Sequence, residues 1–259
     1  MESGFRHYAL PWPLSDYLVG LWTYGHYAQP HRFERLLPTG TMTLAVTVDL
    51  NDHASATVSG ACSSSFLLDT AKPFSIIAAS FKPGGGFPFF GRPADELGNL
   101  SVPLEALVGR EACDLCDRVL NARTARGRFQ VLERFLLARL AEHTGRSAAV
   151  CYALRAFHAS SETPRIADIV DDIGWSATRF IATFRHEVGL APKIYARVAR
   201  FRRVVASVDR TDDVDWADVA LSCGYFDQPH FAHDFKEFAG VTPSEYLRER
   251  TSANHVRVR

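Results

Sequence analysis

No stretch of this 259-residue chain approaches the roughly eighteen consecutive apolar residues that a membrane-spanning helix requires, so no transmembrane segment and no membrane partner are expected. The opening MESGFRHYALPWP lacks a basic start followed by an apolar run, so no secretory leader is expected. Cysteine is sparse: five residues, an odd number without framework spacing, suit a reducing cytoplasm rather than a disulfide-stapled fold. Net charge is absent too, with 29 Lys and Arg against 29 Asp and Glu. Catalytic patterns of the G-x-S-x-G and H-E-x-x-H kind do not occur. The pairs Asp171–Asp172 and Asp212–Asp213 are sequence neighbours, which do not face each other on a helix and make no acid–base dyad. No His-x-His occurs, and Cys113-x-x-Cys116 has no second pair to complete a zinc site. Neither an enzyme nor a cofactor nor a bound metal is expected.

What is present sits mostly in the last hundred residues. Asp215–Cys223 carries Trp216, Val219, Ala220 and Cys223 at helical spacing. Gly224 then supplies a residue free to take positive φ where the chain reverses. Asp227 is a fitting N-cap, and Pro229 falls in the first helical turn, where its missing N–H does no harm. Phe231, Phe235 and Phe238 make a buried stripe, leaving Gln228, Ala232, His233 and Lys236 on the opposite face. A short helix, a tight turn and a second helix with a polar outer face is the layout of a helix-turn-helix.

The same pattern occurs about fifty residues earlier. Ile166, Ile169, Val170 and Ile173 line one face, Gly174 ends the helix, and Ser176 caps the next, whose Phe180, Phe184 and Val188 point inward. IADIVDDIGWSATRFIATFRHEVGLAPKIY lines up with WADVALSCGYFDQPHFAHDFKEFAGVTPSEY once the second unit is allowed one extra residue in its turn.

On these residues Ser147–Arg250 resembles the double helix-turn-helix domain of the AraC/XylS family of bacterial transcription regulators. The closest part is GYFDQPHFAHDFKEFAGVTPSEY, with its Gly–aromatic start, acidic cap, His–Phe and Phe–Lys pairs and Gly-x-Thr-Pro-x-x-Tyr end. The resemblance implies double-stranded DNA as partner, and RNA polymerase as well if the protein activates. Carried over by position, the base-reading residues fall on Ala177, Thr178, Ile181 and Ala182 in the first unit, and on Gln228, Pro229, Ala232 and His233 in the second. Arg179, Arg185 and Lys236 add positive charge on the same helices. Relatives often place Arg or Gln where Ile181 and Ala182 stand, side chains that pair with guanine or adenine edges. The second unit is therefore expected to supply most direct readout and the first to position the domain. The alternative is that Thr178 and Arg179 make the first unit selective as well.

Charge qualifies this reading. From Cys151 onward there are fifteen residues of each sign, whereas DNA-binding domains are usually basic. Positive charge must then be concentrated locally, and Arg197, Arg200, Arg202 and Arg203 cluster on one stretch expected to be the helix joining the units, from about Lys193 through Val205. The acids Asp209, Asp212, Asp213 and Asp215 gather before the second unit.

The first hundred residues read mainly as β, with strand-like content over Arg35–Leu50, Thr57–Leu68 and Phe74–Phe81. From Pro103 the period turns helical: a short helix near Leu104–Val108, another over Glu111–Asn121, and a longer one over Ala125–His143 with Phe129, Leu132, Phe135, Leu136 and Leu140 on one side. That stripe could bury against its own domain or against a second subunit, so a homodimer is one reading. PWPLSDYLVGLWTYG, ERLLPTGTMTLAVTV and FKPGGGFPFFGRPADELGNLSVPLEALVG resemble the cupin-like sensor domain found before such helix-turn-helix domains. This implies a small-molecule effector bound in the barrel. The loop Lys82–Arg92 lacks the Lys–Ser/Thr of a phosphate cradle. Its Phe87, Phe89 and Phe90 either pack a chain bend or line an apolar effector cavity.

The expected architecture is two-domain α+β. Residues 1–145 form a cupin-like β-barrel with following helices. Residues 146–250 form an all-α domain whose two helix-turn-helix motifs are joined by a helix, with the boundary near Glu142–Ser147. Residues 251–259 are a loose tail. The expected function is effector-responsive, sequence-specific transcription regulation in the cytoplasm. The alternatives are a cupin-like enzyme carrying a DNA-binding tail and a protein-interaction module.

Overall fold

The computed structural model describes residues 4–141, 145–159, 164–208, 214–252 and 255–258. The N-terminal half is built on a six-stranded antiparallel sheet of order β1-β2-β7-β4-β5-β8. Its strands are β1 (Gly4–Tyr8), β2 (Leu18–Tyr27), β4 (Thr43–Val48), β5 (Ala54–Ser59), β7 (Phe74–Phe81) and β8 (Ser101–Pro103), with β3 (Phe33–Leu36) and β6 (Phe66–Asp69) in a second sheet. The two sheets do not close into a barrel. Period-two alternation puts Leu44, Val46 and Val48 of β4 and Ile77, Ala79 and Phe81 of β7 on one buried face.

Short helices α1 (Leu14–Tyr17), α2 (Phe87–Phe90) and α3 (Glu105–Val108), and a 3-10 turn over Ala94–Leu97, punctuate the strands. Helices α4 (Glu111–Asn121) and α5 (Ala125–Ala141) then cover the apolar face. Leu115 and Val119 of α4 and Phe129, Leu132 and Leu136 of α5 join its core, and Phe129 stacks on Tyr8 at 5.1 Å. The α5 stripe is thus buried inside its own domain. Each such large apolar side chain removed from water contributes about 1.5–3 kcal/mol. Of the expected domain boundary, residues 142–144 lie outside the described residues.

The C-terminal half holds α6 (Ala148–Ala159), α7 (Ile166–Ile173), α8 (Ala177–Val188), α9 (Pro192–Ser207), α10 (Trp216–Ser222), α11 (Gln228–Ala239) and α12 (Pro243–Glu249). Among the described residues no helix is long and apolar enough to cross a membrane. Two apolar clusters form, one per helix-turn-helix unit, and α9 serves both. Tyr195 packs 5.6 Å from Phe184 in the first cluster, and Phe201 packs 5.2 Å from Phe235 in the second.

The chain does not end in a loose tail. Arg250–Ser252 (β9) and His255–Arg257 (β10) are strands, and β10 pairs antiparallel with β3 in a sheet of order β6-β3-β10-β9. The end of the C-terminal half is therefore part of a sheet of the N-terminal half. Val256 is fully buried. Beneath the junction lies Glu34, itself fully buried. Its carboxylate accepts hydrogen bonds from the hydroxyls of Tyr27 and Thr251, and His255 Nδ1 stands 3.1 Å away. Burial would raise the pKa of Glu34, but the hydrogen bonds from His255, Thr251 and Tyr27 prevail and bring it down to about 2. Three-residue strands carry too little periodicity to be read from sequence, and their partner lies some 220 positions upstream.

Candidate nucleic-acid interface

Each unit's second helix starts as its sequence dictates. Ser176 accepts a hydrogen bond from Arg179 N at the start of α8, and Asp227 accepts one from His230 N at 2.8 Å at the start of α11. Gly174 and Gly224 take φ of 65° and 81° in the turns. The two turns superpose by hydrogen bonding: Trp175 N donates to Val170 O and Tyr225 N to Ala220 O. Arginines stack on both turn aromatics, Arg179 at 4.0 Å over Trp175 and Arg200 at 4.2 Å over Tyr225.

Phe180 and Phe184 anchor α8, and Phe231, Phe235 and Phe238 anchor α11, all essentially fully buried. That leaves Ala177, Thr178, Arg179, Ile181, Ala182 and Arg185 exposed along α8, and Gln228, Pro229, His233 and Lys236 exposed along α11, with Ala232 half-buried beside them. The chemistry of these faces differs. The face of α8 is small and apolar between its arginines. That of α11 offers an amide, an imidazole and an ammonium group.

Three of the four clustered α9 arginines are engaged within the protein. Arg197 donates to Asp234 at 2.7 Å and also holds Glu237. Arg200 donates to Asp234 at 3.1 Å and to Gly224 O, and Arg203 to Phe157 O. Asp234, only 2 % exposed, thus ties α11 to α9. The sequence displayed the charges but not these partners. His233, Asp234 and Glu237 bring three ligating atoms within 4.8 Å of one another, yet Arg197 already occupies both carboxylates. Of the acids expected before the second unit, 209, 212 and 213 lie outside the described residues. Asp215 caps α10 through Ala217 N and Asp218 N.

The N-terminal half touches both candidate reading helices at their C-terminal ends. Asp95 of the 3-10 turn pairs with Arg185 at 3.6 Å, Phe87 meets His186 edge-on at 4.9 Å, and a Cβ on Gly189 would fall 3.0 Å from Ala94 O. At the other unit Ser65 N donates to Phe238 O at 3.1 Å, and a Cβ on Gly240 would collide with the Arg35 guanidinium. Leu37 is buried in the second unit's core. Between the halves Arg146 donates to Asp16 O and lies over Tyr17, and next to it, within the C-terminal half, Ser147 N donates to Glu187 at 2.9 Å. Burial pushes the Glu187 carboxyl up from its ordinary range despite that bond. None of these contacts was legible in the sequence. Phe89 and Phe90 are buried against Phe81, with ring centroids at 5.1 and 5.8 Å, whereas Phe87 is the one that reaches α8.

Residues 169–249 match a family described as a helix-turn-helix domain, and residues 7–103 match one described as a domain of unknown function. No curated protein matches the chain significantly. The fold is similar to that of ToxT from Vibrio cholerae O395, with 14% identity over 88% of this chain and 98% of that one and a TM-score of 0.48. It is similar also to the C-terminal domain of AraT, a response regulator from Geobacillus stearothermophilus (20% identity, 41% of this chain, 89% of that one, TM-score 0.38). A transcriptional regulator with an AraC-type DNA-binding domain from Chromobacterium violaceum gives 22% identity, 40% and 92% coverage and a TM-score of 0.36. With two capped helix-turn-helix units on one shared helix, and a helix-turn-helix family match across them, the C-terminal half is a helix-turn-helix domain, an architecture that binds DNA.

Proposed function

We propose that the second unit reads most of the DNA sequence, that the first mainly positions the domain, and that a small-molecule effector in the N-terminal half tunes both. The observation that carries the first part is the contrast between the exposed faces of α8 and α11. Gln228 can form a bidentate pair with adenine, and His233 can meet a guanine edge. Ile181 and Ala182 can touch only a thymine methyl or fit the groove by shape. Pro229, Ala232 and Lys236 complete the second face; Ala177, Thr178, Arg179 and Arg185 complete the first. With Arg197, Arg200 and Arg203 of α9 engaged inside the protein, fewer phosphates are neutralised, so affinity should fall only gently with salt.

The effector reading is supported by the contacts at the helix ends. An apolar ligand lodged against Phe87, Phe89 and Phe90 would shift the loop that meets His186, and with it the seat of α8. An activator would also engage RNA polymerase, and the protein would act in the cytoplasm, where its DNA lies. A homodimer would have to pair through a surface other than the α5 stripe, which is spent inside its own domain.

The test is selection of duplexes from a random library by the full-length protein at two salt concentrations. The expected result is a site with one strongly specified block and a weaker one about ten base pairs away. Two blocks of equal information would overturn the asymmetry, and absence of any enriched site at low salt would overturn DNA reading.

A further inference from the structure

The extra residue in the second turn is Phe226. The first unit passes from Trp175 directly to its cap Ser176, whereas the second inserts Phe226 between Tyr225 and the cap Asp227. The matching hydrogen bonds of Trp175 N to Val170 O and Tyr225 N to Ala220 O fix that alignment independently of sequence. The insertion does not serve packing. Tyr225, 3 % exposed, already fills the inner side of the turn, and Phe226 is 90 % exposed, more than any other large apolar side chain among the described residues.

Its place gives the exposed ring a use. Phe226 directly precedes the N-cap of α11, and a recognition helix enters the major groove by its N-terminal residues. Gln228 and Pro229 follow within the first turn. A phenyl ring carries no donor for a phosphate oxygen, so it cannot serve as a backbone-positioning contact. What the major groove offers an apolar surface is the C5 methyl of thymine.

We propose that Phe226 is a base-reading residue of the second unit, taking a thymine methyl at the edge of the block read by α11. The proposal rests on the reading of the chain as a DNA-binding regulator. Burying most of an exposed phenyl side chain should be worth roughly a tenfold gain in affinity or more.

The experiment compares the full-length protein with Phe226→Ala and Phe226→Leu. Each variant is put through duplex selection and then titrated against the wild-type site. The titration uses that site with thymine and with deoxyuridine, which lacks the methyl, at each edge position. Unchanged thermal unfolding midpoints are expected, because the side chain packs against nothing. Expected also are an enriched edge thymine for wild type, loss of that enrichment and about tenfold weaker binding for Phe226→Ala, and partial recovery with Leu. Deoxyuridine at that position should weaken wild type by a similar factor and leave Phe226→Ala unaffected. The proposal is overturned if Phe226→Ala selects the same thymine with the same affinity, which would leave the ring for a protein partner. It is equally overturned if the variant loses affinity by one factor on all sequences. A wild-type protein that enriches no site overturns the DNA reading itself, an outcome separate from either of these.

Discussion

In register with Asp234 of the second helix-turn-helix unit, the first unit has Thr183. The second unit therefore seats α11 on α9 through a buried carboxylate gripped by Arg197 and Arg200, while the first seats α8 through aromatic packing of Phe184 on Phe157 and Tyr195. Both units also touch the N-terminal half, the first through the 3-10 turn and the Phe87 loop, the second through Ser65, Leu37 and the pairing of β10 with β3. The exposed face of α8 is small and apolar between Arg179 and Arg185, whereas that of α11 carries an amide, an imidazole and an ammonium group. A unit locked by ion pairs can hold Gln228 and His233 in fixed geometry.

The sharpest way to break the comparison is to remove the lock. Asp234→Ala would leave two guanidiniums facing α11 with their shared carboxylate gone. Breaking a buried ion pair from one side costs about 3–5 kcal/mol, so urea unfolding should show a loss on that scale. Thr183→Ala, its counterpart, should stay within about 1 kcal/mol. Equal losses would mean that the two units are seated alike after all.

The next effect concerns the junction that only the second unit has. Glu34, held at about 2 against an ordinary 4.5, favours the folded state when ionised. Its contribution is complete above about pH 4.5 and is lost as pH falls toward 2. It amounts to about 3 kcal/mol by linkage. Glu34→Gln should lower stability at neutral pH by a similar order and flatten its dependence between pH 4.5 and 2. Amide exchange at Val256 should rise in that variant, while exchange along α8 stays unchanged. Protection kept at Val256 would show that the strand pairing of β10 with β3 holds without the carboxylate.

Sequence legibility followed the same division. Helix α4 and strand β7 have the bounds the sequence suggests, because 3.6- and 2-residue periods act locally. The caps Ser176 and Asp227 are legible for the same reason. Glu34, Asp95 and Asp234 are not, since a carboxylate's partner on a distant element leaves no local pattern. The α9 arginines mislead in the same way: their charge is visible in sequence, and their use inside the protein is not. Phe226 stands between, visible as one unmatched letter in the repeat but meaningful only with its exposure.

Base readout gives the next contrast. Gln228→Ala should weaken binding to the selected site by about 1–3 kcal/mol and relax one base preference. Thr178→Ala should change affinity by less than that and leave the selected sequence intact. Equal loss of preference in both variants would discard the division of labour between the units.

The smallest expected effect tests whether the first unit responds to its contact with the N-terminal half. Arg185 pairs with Asp95 at 3.6 Å, both partly exposed, and such a pair is worth about 0–1 kcal/mol. Asp95→Ala should therefore barely move the unfolding midpoint. It also removes the negative charge that competes for Arg185, so DNA affinity should rise slightly, most visibly at low salt where phosphate contacts weigh most. Arg185→Ala should instead lower affinity, and adding Asp95→Ala to it should have no further effect. If Asp95→Ala leaves affinity unchanged at every salt concentration, Arg185 belongs to the domain contact alone, and the first unit contributes to DNA through Thr178 and Arg179 at the other end of α8.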